Sequence, residues 1–168
     1  MQSTFQIQRK IRRWLAFFMF MLVMSGLTAI PLVDELEFVK RFFDFDSNIG
    51  VWLNAIYDSL IDTKQKYPWL FYGYDWLAFA HVIIALVFIG PYKDPVKNKW
   101  VIEFGMIACL LIIPFAMIAG YFRGIPFWWR LIDCSVGIIG MVPLVICYRK
   151  IHLLEEIKEE ERVYEYSF

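Results

Sequence analysis

The sequence predicts an all-α membrane protein: a four-transmembrane-helix bundle with both termini in the cytoplasm (N-in/C-in) and an extracytoplasmic amphipathic helical cap. Three observations predict it. Of 168 residues, 60% are hydrophobic and 19% aromatic, with a mean hydropathy of +0.51, well outside the soluble range. Four apolar runs are separated by turn and charge signals. Lysine and arginine, finally, gather on one side of those runs. The length suits a single integral membrane domain, residues 1–168.

The first helix is expected over residues 12–33. Trp14 to Val33 is twenty residues without a charge, enough for a hydrocarbon core of roughly 30 Å. Arg9, Lys10, Arg12 and Arg13 precede it, as in a signal peptide. The run is too long for a signal core, however, and no small-x-small cleavage site follows Thr28–Pro31, so it reads as a retained helix.

Residues 34–74 form the expected cap. Ile49, Trp52, Leu53, Ile56, Tyr57 and Leu60 follow the i, i+3, i+4, i+7 spacing of an amphipathic helix, with Asp46 or Ser47 as candidate caps. Asp34 to Phe45 is aromatic-rich and reads as helical too. Trp69, Phe71, Tyr72, Tyr74 and Trp76 suit an interfacial belt.

The second span is expected over 75–92, on the uncharged run Trp76 to Tyr92. The third is expected over 95–122, with Asp94 as N-cap and Pro95 at the first helical position. Pro114 sits mid-span, lacks an N–H for the Leu110 carbonyl, and predicts a kink. The fourth span is expected over 126–150. Its uncharged core, Cys134 to Tyr148, has fifteen residues and reaches only about 22 Å. The helix must therefore begin near Pro126 and carry Arg130 and Asp133 into the membrane or its interface. An acidic helical tail, 151–168, follows, with Ile151, Leu154 and Ile157 as a stripe. With the N-terminus inside, cytoplasmic segments hold eleven lysines and arginines and the other side six, which sets the orientation.

Ionisable groups inside a membrane are costly, so each invites a functional question. His81 lies roughly 9 Å into the second span and shares a face with Ala78 and Ala85. Asp133, at similar depth on the fourth, shares a face with Gly137 and Gly140, and Arg130 precedes it by one turn. Ser25, Thr28, Asp75 and Arg123 belong to the same half of the membrane. Together they make a candidate polar pocket facing outward; the competing reading is a set of interhelical ties. Glu103, with Lys97 and Lys99 before it, reads as a helix-dipole acid, or as a proton relay.

No cofactor is expected. His81 and His152 are the only histidines, and His152 lies roughly 28 Å along the fourth helix from Asp133, which disfavours a bis-histidine haem. A zinc site needs three or four clustered ligands, which His81, Asp75 and Asp133 barely supply, so no metal ligands are expected. Cys109, Cys134 and Cys147 show no CxxC spacing and read as buried, inert thiols. No polybasic face or nucleic-acid-binding motif points to a nucleic-acid partner.

Three segments carry a resemblance: Asp75–His81, Pro91–Gly105 and Arg123–Cys134 are similar to a group of small bacterial four-helix membrane proteins with no known activity. The likeness covers most of the chain after Leu70 and implies the fold and a bacterial cytoplasmic (inner) membrane, with no catalytic residue or cofactor. Arg13 before an apolar run ending in Ser25-Gly26 resembles the first helix of DoxX-like proteins, over that helix alone. Two function classes follow. The first is a non-enzymatic accessory subunit or small-ligand binder. Its partners would be the bilayer, another membrane protein or a second copy, and its ligand lipid- or quinone-like. The second is an intramembrane enzyme or proton-coupled carrier. There His81 would transfer protons, Asp133 would orient it, and Arg130 or Arg123 would anchor an anion.

Overall fold

The computed structural model describes residues 4–44 and 46–166, with side chains as far as 163, and among these it is helical with no strand. Seven α-helices follow in order: α1 Thr4–Thr28, α2 Leu32–Lys40, α3 Asn48–Lys66, α4 Tyr72–Val87, α5 Ile89–Lys93, α6 Lys99–Phe122 and α7 Phe127–Tyr166, with a 3-10 turn at Pro68–Phe71. Four segments are long and apolar enough to cross a membrane: Thr4–Thr28, Pro68–Lys93, Lys99–Phe122 and Phe127–Val163. At most 28% of any of their most apolar windows is buried by the protein itself, so most of that apolar surface faces outward. The chain divides into two compact units. One holds the residues up to Phe20 and from Leu86 onward; the other is Met21–Ala85.

In the first unit, α6 and α7 form an antiparallel hairpin. Its turn is a Schellman motif: Gly124 takes φ +68°, Ile125 N–H donates to the Gly120 carbonyl at 2.9 Å, and Gly124 N–H donates to Tyr121 at 3.2 Å. Glycines then let the two helices close up. A Cβ on Gly137 would lie 2.5 Å from the Cys109 carbonyl oxygen, and one on Gly105 would lie 2.8 Å from the Phe88 ring and 3.0 Å from Leu144. The first half of α1 adds a stripe, Ile7, Ile11, Leu15 and Phe18, all at most 6% exposed. It meets α7 where the Cys147 thiol approaches the Ile11 carbonyl at 3.7 Å. Phe18 stacks edge-on against Phe88 with centroids 4.9 Å apart, and the Arg12 Nε donates to the Tyr92 carbonyl at 3.2 Å.

In the second unit, α3 starts at its expected cap. The Ser47 hydroxyl accepts from Gly50 N–H at 3.0 Å and donates to the Asp44 carbonyl at 2.7 Å; Asp46 takes no part in it. Leu53 of α3 and Val33 and Leu36 of α2 are buried, and the Lys40 ammonium sits 3.9 Å above the Tyr57 ring. Pro68 ends α3, since it holds Tyr67 out of the helical region (φ −137°, ψ 56°).

Several expected boundaries shift. The first helix ends at Thr28 instead of residue 33, because Pro31 cannot continue it; Ala29 and Ile30 close the end with tight bonds to Gly26 and Leu27, and α2 follows. At the other end it begins at Thr4, so the basic cluster is helical. The second span is broken at Phe88, between α4 and α5, because Pro91 brings no N–H to the Val87 carbonyl. The third helix begins at Lys99 instead of Pro95. Asp94 does cap, accepting from Lys97 N–H at 3.2 Å, but what it caps is one isolated turn; Asn98 precedes the helix with no side-chain cap. Helix α6 runs on through Pro114, and α7 likewise through Pro143. The acidic tail is continuous with α7 as far as Tyr166, residues 167–168 lying outside the described ones, and Ile151 and Leu154 are fully buried, so the core extends past residue 150.

Gly137→Ala should force α6 and α7 apart, because the obstacle is backbone; a loss of about 1–3 kcal/mol is expected in thermal unfolding of the detergent-solubilised protein. Gly73→Ala, with nothing within 4 Å of the added methyl, should be neutral or slightly stabilising in the same measurement.

Candidate functional site

The expected site residues fall in both units. In Met21–Ala85, α1 and α4 approach closely at Gly26, where a Cβ would lie 2.7 Å from the His81 Cβ and 2.8 Å from the Ala78 carbonyl oxygen. Small residues beside the histidine thus mark a tight helix contact, as their spacing suggests. The His81 Nδ1 lies 2.8 Å from the Leu77 carbonyl of its own helix. A carbonyl only accepts, so Nδ1 carries the proton of that bond, and Nε2 is the nitrogen left to meet another group.

Ser25 and Thr28 are exposed, and the Thr28 hydroxyl is spent on the Ser25 carbonyl at 3.1 Å. Asp75, in the first turn of α4, lines a hollow of about 230 Å³ along with Asp34, Lys64 and Tyr74. Asp34 and Lys64 carried no signal in the sequence, since each lies in a polar stretch with no spacing that relates it to Asp75.

In the other unit, Arg130 lies across α6. Its Cγ and Cδ occupy the space over Gly120, at 2.6 and 2.5 Å from where a Cβ would stand, and its Nη1 reaches the Met117 carbonyl at 3.4 Å. The guanidinium also sits 5.5 Å from the Phe127 ring centroid, while its buried Nε has no hydrogen-bond partner among the described residues. Arg130 therefore ties two helices together and makes no ion pair with Asp133, one turn further on. Asp133 is half-buried and accepts no hydrogen bond among the described residues. Its neighbours are occupied elsewhere, the Cys134 thiol with the Ile113 carbonyl at 3.8 Å and the Ser135 hydroxyl with the Ile132 carbonyl at 2.6 Å. Arg123 is exposed at the α6–α7 turn.

Glu103 is exposed in the second turn of α6, beyond the stretch where the helix dipole acts strongly. The lysines expected beside it go elsewhere. Lys99 pairs with Glu155 at 2.7 Å, and Lys97 approaches Asp94 at 4.0 Å. The Lys99–Glu155 bridge was not legible, because it joins residues far apart in the chain. Cys109, Cys134 and Cys147 are buried free thiols, and no three His, Cys, Asp or Glu residues gather in metal-binding geometry among the described residues.

Arg130→Met keeps the apolar stem over Gly120 and gives up one bond to a backbone carbonyl and the contact with the Phe127 ring. The expected cost is about 1–2 kcal/mol, from an intramembrane hydrogen bond and a cation–π contact together, checked by thermal unfolding in mild detergent. A loss several times larger would mean that the guanidinium has a further partner in the folded protein. Comparison with protein-family models, with curated proteins and with solved structures yields no match, so the site is read from its own geometry.

Proposed function

We propose that the chain is an integral protein of a bacterial cytoplasmic membrane, N-in and C-in, that serves as a non-enzymatic accessory subunit or small-ligand binder. The observation that carries this reading is the way the ionisable side chains are spent. Arg130 is bonded to the backbone of α6, a tie between two helices, and the His81 Nδ1 is taken up within its own helix. The four apolar segments, whose surfaces are mostly not buried by the protein, support the membrane assignment. The uneven distribution of lysine and arginine supports the orientation. The expected ligand is apolar with a polar end, lipid- or quinone-like, and the pocket would face the extracytoplasmic side. The segment between the first two spans would cap it.

Asp133 favours a second reading, a proton-coupled carrier or intramembrane enzyme. A carboxyl group inside a spanning helix, with no partner among the described residues, is a costly feature, and such residues mark proton and ion paths. His81, whose Nε2 has no partner among the described residues, would be a second proton-transfer group.

Native mass spectrometry of the protein released from mild detergent separates the two. The first reading expects, beyond any bound phospholipid, a mass above the chain's 20.0 kDa from a retained ligand or partner subunit. A chain carrying at most phospholipid, together with proton flux into vesicles that Asp133→Asn abolishes, would establish the second reading instead. Orientation has its own test in single cysteines at Asp58 and Lys97, against native cysteines that are all buried. An impermeant maleimide applied to intact cells should label the Asp58→Cys protein and spare the Lys97→Cys protein.

A further inference from the structure

We propose that a groove between α1 and α7 binds the phosphate headgroup of an anionic phospholipid. The groove holds about 710 Å³ and is lined by Lys10, Arg13, Trp14, Phe17, Ile146 and Lys150. The first four stand at i, i+3, i+4 and i+7 on one face of α1, and the last two are one turn apart on α7. The two helices run antiparallel here: the Cys147 thiol meets the Ile11 carbonyl, and Gly140 lies beside Phe18. By that pairing Lys150 and Lys10 lie toward one end of the groove and Phe17 toward the other, with Ile146, Arg13 and Trp14 between them. The cations thus gather toward one end and the aromatic side chains toward the other, which matches a phosphate joined to an acyl chain.

Charge argues for an anion. No carboxylate lines the groove, and none of the three cations makes a hydrogen bond or ion pair among the described residues. Two other basic side chains of the same unit are engaged, Arg12 with the Tyr92 carbonyl and Lys99 with Glu155, while Arg9 and Arg149 make no such bond among the described residues. Ile11 and Cys147, fully buried behind the groove, hold its walls in place. Basic pockets between membrane helices are established headgroup sites, and each cation near a charged lipid surface contributes enough to change affinity roughly fivefold. The apolar half sets a lipid apart from a free anion, since inorganic phosphate gains nothing from Trp14, Phe17 or Ile146. The inference rests on the chain spanning a membrane but is independent of the outward-facing pocket.

The test is titration of the detergent-solubilised full chain with phosphatidylglycerol and with phosphatidylcholine, read by native mass spectrometry. Phosphatidylglycerol should be retained in preference to phosphatidylcholine. The combined variant Lys10→Gln, Arg13→Gln, Lys150→Gln should lose that preference while keeping its helicity by circular dichroism, and Lys150→Gln alone should weaken retention roughly fivefold. A charge-matched variant away from the groove, Arg9→Gln, Arg149→Gln, Lys158→Gln, should behave as the unmodified protein. Equal retention of both lipids, an equal loss in the charge-matched variant, or displacement by inorganic phosphate at the lipid's own concentration would each overturn the proposal. Recovery of the chain from membranes without detergent would overturn the spanning assignment itself, a result read before any lipid is added.

Discussion

The close approach of α6 and α7 is the constraint on which the rest of the first unit depends. Within a hydrocarbon core, helices gain nothing from burying apolar surface against each other, since lipid is equally apolar, and packing must come from contact at short range. Gly105, Gly137 and Gly140 supply it. Gly137 puts backbone against the Cys109 carbonyl, Gly140 admits the Cys109 sulfur, and Gly105 receives the Phe88 ring. Phe88 in turn meets Phe18, so the break between α4 and α5 delivers an aromatic side chain into the seam. The proline that breaks the second span thus serves packing as well as direction.

The same constraint governs the polar side chains. A hydroxyl, thiol or guanidinium surrounded by apolar groups needs an acceptor, and in a helical protein the acceptor most often at hand is a backbone carbonyl. Thr28, His81 and Ser135 turn to their own helices. Cys134 and Arg130 reach from α7 to α6. Arg130 does so only because Gly120 leaves room for its stem. The guanidinium is in effect a strut across the hairpin near its Schellman turn. Asp133 stands apart because a carboxylate can only accept, and helix carbonyls offer it no donor.

Much of the fold was legible because it follows from local chemistry. Hydropathy located four spans, Ser47 and the apolar spacing after it located α3, and the shortness of the Cys134–Tyr148 run required α7 to include Arg130 and Asp133. The errors share a cause. Ala29 to Val33 is as apolar as a span, yet Pro31 turns it, and the uncharged run Trp76–Tyr92 hides the break before Pro91. Asp94-Pro95 carries the chemistry of a helix start but closes a single turn. A capping signal fixes where a turn begins and says nothing of how far it continues. Of the candidate site, the small-residue setting of His81 could be read from spacing. The destination of Arg130 could not, because it depends on which carbonyl of another helix comes within reach. The same holds for Lys99, whose partner Glu155 is set by the register of α6 on α7.

That register also explains the character of the first unit's basic end. The α6–α7 pairing runs from the Schellman turn to Lys99 and Glu155, well past the last uncharged residue of the fourth span, with Ile151 and Leu154 buried beside it. Ile7 and Ile11 extend the α1 stripe in the same direction, so the hydrophobic core of this unit outlasts the apolar surface around it. A helix whose inner face stays apolar while its outer face becomes charged is suited to the headgroup layer, where the flanks meet water and phosphate and the core remains dry. At this end the protein neutralises only part of its charge. Lys99 and Arg12 are drawn inward to a carboxylate and a carbonyl. Lys10, Arg13 and Lys150 make no hydrogen bond or ion pair among the described residues, and they line one groove with Trp14, Phe17 and Ile146. An arrangement of that kind leaves its electrostatics to be completed by what surrounds it, and at the edge of a bilayer the nearest abundant anion is the lipid phosphate.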